Sequence, residues 1–130
     1  MHPFQKIKVW QKAHDFCGAC QKATFRRPMG GSAPGFRSQF LRAVNAIADN
    51  IAEGAGQRRQ RLFARFLEIA LASAHEVDSQ LERARTLGIF DPQQAQTLQE
   101  RVWEIKRMLT AFHRAVSRRA DEEDKTESDQ

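Results

Sequence analysis

The sequence predicts an all-α fold, an antiparallel up-down four-helix bundle forming one domain. Apolar residues recur at steps of three and four in four separate segments, the pattern of helices that each bury one face. Gly and Pro together number only 11, Tyr is absent, and the apolar residues are mostly Ala, Leu, Ile, Val and Phe, which favours helices over a sheet sandwich. A chain of 130 residues is long enough to bury one core and too short for two.

The first helix is expected from Phe4 to about Phe25, with Trp10, Ala13, Cys17, Cys20 and Thr24 on one face and Lys6, Lys12, Asp15 and Lys22 elsewhere. It ends before Pro28, and the stretch from Met29 to Gly35 forms a loop, since Pro34 and three glycines oppose a helix. The second helix runs from about Phe36 to Ala52, with Phe36, Phe40, Ala43, Val44, Ile47 and Ile51 on its apolar face. Gly54 and Gly56 are expected to supply the left-handed backbone that closes it. After the polar link from Gln57 to Gln60, the third helix starts near Arg61 and ends at Leu87-Gly88, with Leu62, Phe66, Ile69, Ala70, Ser73, Val77, Leu81 and Ala84 at helical spacing. The fourth has the clearest start: Asp91 as N-cap, Pro92 in the first helical position and Gln94 placed for a capping box. Its apolar positions Leu98, Val102, Ile105, Leu109, Phe112 and Val116 form a heptad seam suited to left-handed bundle packing.

The net charge of +5 conceals an asymmetry, because residues 121–130 hold six acids against the single base Lys125. Residues 1–120 therefore carry 20 Lys and Arg against 10 Asp and Glu, a net of +10. A body of that charge attracts polyanions, whether RNA, DNA or an acidic protein surface. The bundle is placed at residues 1–118 and an acidic tail at 119–130; from Asp121 onward the tail has no apolar residue to bury, so it is expected to be disordered and to screen the basic body. No apolar run approaches the roughly 20 residues that cross a bilayer. The opening residues lack the apolar core of a signal peptide, so a cytoplasmic protein is expected.

Residues capable of chemistry do not assemble into a reaction centre. Cys17 and Cys20 form a C-x-x-C, but it lies in mid-helix on the apolar stripe, where free thiols act as small hydrophobes, and not at a helix start where the dipole activates a thiol. His14, Cys17 and Cys20 put three soft ligands along one helix, short of the fourth that structural zinc takes. None of the four His has an acid three residues before it, which removes a bundle di-iron site. No Gly-x-Ser-x-Gly elbow, His-Glu-x-x-His or phosphate loop occurs, and Gly54-Ala55-Gly56 is a helix terminus, not a dinucleotide loop. Asp49 and Glu53, four apart, are expected to pair with Arg42 or a neighbouring helix. No catalytic residue, cofactor or metal is expected. The most suggestive functional signal is Arg58, Arg59, Arg61 and Arg65, four guanidiniums over eight residues that can each contact a phosphate and release counterions, with Arg42 a further candidate. Cations at a helix N-terminus are unfavourable, so some compensating reason is needed for them.

Several blocks of residues resemble those of the four-helix bundle proteins encoded in intervening sequences of bacterial 23S ribosomal RNA genes. They are Val9-Trp10-Gln11-Lys12-Ala13-His14, Ser38-Gln39-Phe40-Leu41-Arg42-Ala43, Asn50-Ile51-Ala52-Glu53-Gly54, Phe66-Leu67-Glu68-Ile69-Ala70, Leu87-Gly88 and Arg107-Met108-Leu109, and the likeness covers roughly residues 4–116. That family is similar to the accessory variability determinant of diversity-generating retroelements. The resemblance implies a homopentamer with a nucleic-acid partner, RNA above all, and a reverse transcriptase as a further one. It also marks Trp10, Gln39, Asn50, Glu53 and Gly54 as structural or interface positions; read from chemistry, Asn50 is expected to bond across helices and Glu53 to pair with an Arg, the alternative being a polar site the two share at a subunit junction. The expected function is that of a non-catalytic homo-oligomeric bundle that binds structured RNA or a ribonucleoprotein through its basic surface. The alternative is a scaffold that docks an acidic protein without touching nucleic acid.

Overall fold

The computed structural model describes residues 3–25 and 35–129. A 3-10 turn at Phe4–Lys6 leads into four helices: α1 (Lys8–Phe25), α2 (Phe36–Ala55), α3 (Gln60–Thr86) and α4 (Pro92–Ser128). The described residues contain no strand. Of the loop expected between the first two helices, only Gly35 is described; its φ of 79° is a left-handed entry into α2, and the rest lies outside the described residues.

Each helix packs on the helices next to it in sequence, and α1 closes the square against α4. Cross-helix contacts give the directions. Arg61 meets Asp121 and Asp124, Asp78 meets Lys106, and Arg85 meets Gln99, so residue numbers fall along α4 as they rise along α3. Gln80 reaches Gln39 while Phe63 sits on Gly54, and Lys12 pairs with Glu104 while Arg101 lies over the Phe16 ring. Both pairs of helices thus run antiparallel, and the fold is the up-down four-helix bundle.

The faces of α2 and α4 are buried as expected, except that Phe112 is half-buried, edge-on to Phe63 with centroids 5.4 Å apart. Those of α1 and α3 are rotated. In α1 the core takes Val9, Ala13, Phe16, Cys20 and Thr24, with Trp10 and Cys17 on the flank. In the first half of α3 it takes Phe63, Ala64 and Leu67, leaving Phe66 and Ile69 half-buried and Leu62 45% exposed. Both segments carry two adjacent apolar stripes, and the neighbours decide which one is covered. Phe90, in the α3–α4 turn, is fully buried and meets Phe36 and Phe40 edge-on at 6.1 and 5.9 Å.

Glycine acts here in two ways. At Gly88, φ is 72°, and the Ile89 amide returns to the Ala84 carbonyl at 2.8 Å while the Gly88 amide bonds Arg85, the Schellman closure of α3. Gly54 differs from the expectation that it and Gly56 are left-handed, since neither has positive φ. Gly54 is helical, and a Cβ there would lie 2.9 Å from both Phe63 Cδ1 and Phe66 Cβ, so its hydrogen is what lets α2 and α3 cross closely. The start of α4 is as expected, with Asp91 Oδ1 accepting the Gln94 amide at 2.8 Å. The return half of a capping box is not made, because Gln94 Oε1 has no partner.

A polar seam ties α3 to α4. Asp78 accepts from Gln99 Nε2 at 3.2 Å, Trp103 Nε1 at 3.0 Å and Lys106 Nζ at 3.0 Å. Burial pushes the Asp78 carboxyl up, but the bonds from Lys106, Gln99 and Trp103 outweigh it and hold the group below its ordinary range.

The acidic segment, expected to be disordered, is helical through Ser128. Its carboxylates reach the first turn of α3, an electrostatic partner that composition alone does not reveal.

Two stability predictions follow from this packing. Gly54→Ala should destabilise the fold by about 1–3 kcal/mol through overpacking. Gly18→Ala, with nothing within 4 Å of the new Cβ, should stabilise it by about 0.5–1 kcal/mol through helix propensity; urea midpoints of the two variants should move in opposite directions. Asp78→Ala should cost about 1–3 kcal/mol by removing the charged acceptor that Lys106, Gln99 and Trp103 share across the seam. Since the folded carboxyl is the stronger acid, its contribution is complete above about pH 4 and drains away as pH falls below that. Denaturant titrations at neutral and acid pH should therefore show a wild-type advantage that shrinks on acidification.

Candidate nucleic-acid interface

Helix α3 begins without the usual aids. Its N-cap Arg59 makes no side-chain capping bond, its first turn has no acid, and Arg58, Arg59, Arg61 and Arg65 crowd the positive end of its dipole. The end of α4 supplies what is missing. Glu123 Oε1 accepts the Gln60 backbone N–H at 3.3 Å, serving as a cap from another helix. Arg61 Nη2 donates to Asp121 Oδ1 at 2.7 Å and Asp124 Oδ2 at 2.8 Å, and Arg59 Nη1 to Glu127 Oε2 at 3.2 Å. Bonding to Asp121 and then Asp124 raises the already high pKa of Arg61. These carboxylates, spaced three apart, are the compensation that cations at a helix start require.

The five arginines singled out from sequence are all exposed but differ in their surroundings. Arg59 and Arg61 are engaged by the acidic segment. Arg58 and Arg65, among the described residues, have no ion-pair partner. Arg42 donates to Gln39 Oε1 and stands about 20 Å back along α2 from the junction. Sequence reasoning missed a further basic line: Arg107, Arg114 and Arg118 are exposed on the outer face of α4, without carboxylate partners among the described residues. Their steps of seven and four run opposite the apolar seam, and that period was the available signal. Arg119 and Lys8 border an apolar groove of about 560 Å³ between α4 and the start of α1, floored by Ile7, Val9, Met108 and Phe112.

The other candidates have structural surroundings. Cys20 is fully buried, and Cys17 Sγ donates to the Val44 carbonyl at 3.7 Å. Burial, reinforced by the Asp49 charge, pushes the Cys17 thiol up to about 11. Burial first and Cys17 second push Cys20 higher still, against the opposing charge of Arg101. Both are therefore protonated at neutral pH, unlike the thiolates of redox centres. His14 is exposed and stacks on Trp10 with centroids 4.7 Å apart, and no group of three metal-ligating side chains comes together among the described residues. Trp10 also meets Phe4 edge-on, binding the 3-10 turn to α1.

Two expected partnerships are not made. Asn50 Nδ2 donates to Ala46 O of its own helix at 2.8 Å and does not reach across to another. Asp49 and Glu53 are exposed and, among the described residues, form no ion pair with Arg42 or any other cation, because their face of α2 points away from the bundle. Helix α2 thus leaves two carboxylates on the surface.

The sequence profile of the family described as 23S rRNA-intervening sequence protein matches residues 5–111. A crystal structure from Bacteroides thetaiotaomicron VPI-5482, described as a protein with unknown function from the S23 ribosomal protein family, superposes with a TM-score of 0.66 at 21% identity, covering 81% of this chain and 97% of that one. None of the curated proteins matches. The neighbour has the same bundle, and the profile spans all of α1 to α3 and half of α4: the chain belongs to the 23S rRNA-intervening sequence protein family.

Proposed function

We propose that the protein is a non-catalytic, homo-oligomeric bundle of the cytoplasm that binds structured RNA, alone or within a ribonucleoprotein, through its basic surface. The observation that carries this reading is the set of outward-facing arginines without carboxylate partners, Arg107, Arg114 and Arg118 along α4 together with Arg58 and Arg65 at the start of α3. Arg107 to Arg118 spans about 16 Å of helix, a length over which several phosphates of one strand can be met. The family's description ties its members to 23S rRNA. Two free thiols, Cys20 buried and Cys17 half-buried, suit a reducing compartment.

Assembly is supported by the apolar stripe that α3 leaves outside its core. Leu62, Phe66 and Ile69 follow one another at helical spacing on a half-exposed face, which a second copy can cover. Five subunits is the number the resemblance implies. A second reading, docking of an acidic protein partner, is favoured by one observation: the α3 arginines already hold carboxylates presented by a helix.

Replacing Arg107, Arg114 and Arg118 with Gln should lower the slope of log affinity for RNA against log salt by about 2, since each lost phosphate contact removes about 0.7–0.9. An unchanged slope removes the α4 line from the interface. Partner capture that survives nuclease treatment would favour the acidic-protein reading. Leu62→Gln/Ile69→Gln should reduce the mass seen by light scattering to that of a monomer while helicity is retained. A wild-type protein that is itself monomeric contradicts the assembly.

A further inference from the structure

We propose that the acidic end of α4 is a displaceable cover on the arginine cluster of α3, lying where an RNA phosphate backbone binds and leaving when RNA arrives. This rests on the nucleic-acid reading above and adds its regulation. The last fully buried side chain of α4 is Ala120, and every residue from Asp121 to Asp129 is exposed except the half-buried Glu123. No apolar contact anchors this stretch. An eight-residue helix does not persist by itself in water, so the stretch to Ser128 stays helical by continuing α4 and by its ties to α3. Those ties are the ion pairs of Arg59 and Arg61, whose side chains are 59% and 51% exposed, and the single bond from Gln60 to Glu123. Exposed pairs of this kind are weak one by one and are screened by salt.

The chemistry of the contact matches that of the ligand it would yield to. The Asp121 and Asp124 oxygens converge on one guanidinium nitrogen, as two oxygens of a phosphate can. Glu123 takes the first amide of α3, where phosphates bind at helix N-termini. Arg58 and Arg65 flank the covered pair and remain available for first contact. A polyanion that engages them gains Arg59 and Arg61 by exchange, since its phosphates replace carboxylates at the same nitrogens.

The test compares two charge-matched variants of the full chain for affinity to polyuridylate RNA at low salt. Asp121→Asn/Asp124→Asn removes both partners of Arg61, and Glu122→Gln/Asp129→Asn removes two charges from the same segment that pair with no arginine among the described residues. The first pair should bind about tenfold tighter than wild type, a change of 1.4 kcal/mol, and the second should change little. A chain ending at Ala120 should bind at least as tightly as the first pair. Equal gains from both pairs would reduce the effect to net charge and overturn the cover, as would no gain from either while wild type binds. If neither wild type nor any variant binds RNA, the nucleic-acid reading falls, and this inference with it.

Discussion

Because the α3–α4 turn fixes where α4 begins, it fixes which residue of α4 faces each residue of α3 for the rest of the molecule. Gly88 ends α3 in left-handed backbone, Phe90 seats the turn against Phe36 and Phe40, and Asp91 caps α4. From there the register is held by a heptad seam and the bonds of Asp78 to Gln99, Trp103 and Lys106. With 37 residues against 27, α4 is about 15 Å the longer helix, so it runs the full length of α3 and past its first residue. That register carries the acids after Ala120 to the arginines that open α3.

Much of the fold was legible because it is written locally. The Asp91-Pro92 start, the α4 seam, the α2 face and the closure at Leu87-Gly88 each depend on residues within a turn or two of one another. The phase of α1 and α3 was not, because both have two apolar stripes at helical spacing. Whether Phe63 or Leu62 is buried is decided by α2 and α4, not by α3. Gly54 looked like a helix terminus for a related reason: glycine after an apolar run usually marks an end, and only the approach of Phe63 and Phe66 shows that space is what it provides.

The site was legible in its residues but not in their pairing. Arginines at a helix start call for compensation, and the acidic tail is expected only to screen the basic body as a whole while disordered, because composition measures only what a segment can bury. The helix is formed by bonds between residues some 60 positions apart, as Arg61 to Asp121 shows. The outcome divides the basic surface in two, an α3 cluster partly covered by the chain itself and an open line on α4. This division explains how a chain with so many exposed arginines can keep its most concentrated cluster from indiscriminate contact with polyanions.

The last turns of α4 are held by arginines and by no apolar contact, and amide hydrogen exchange of the free protein across a salt series reads this hold residue by residue. Amides from Glu122 to Ser128 should be protected at low salt and lose that protection as salt rises, while those of the seam from Leu98 to Val116 keep theirs. Protection of the terminal turns that is indifferent to salt, or absent at every concentration, would mean that the arginines of α3 do not hold them.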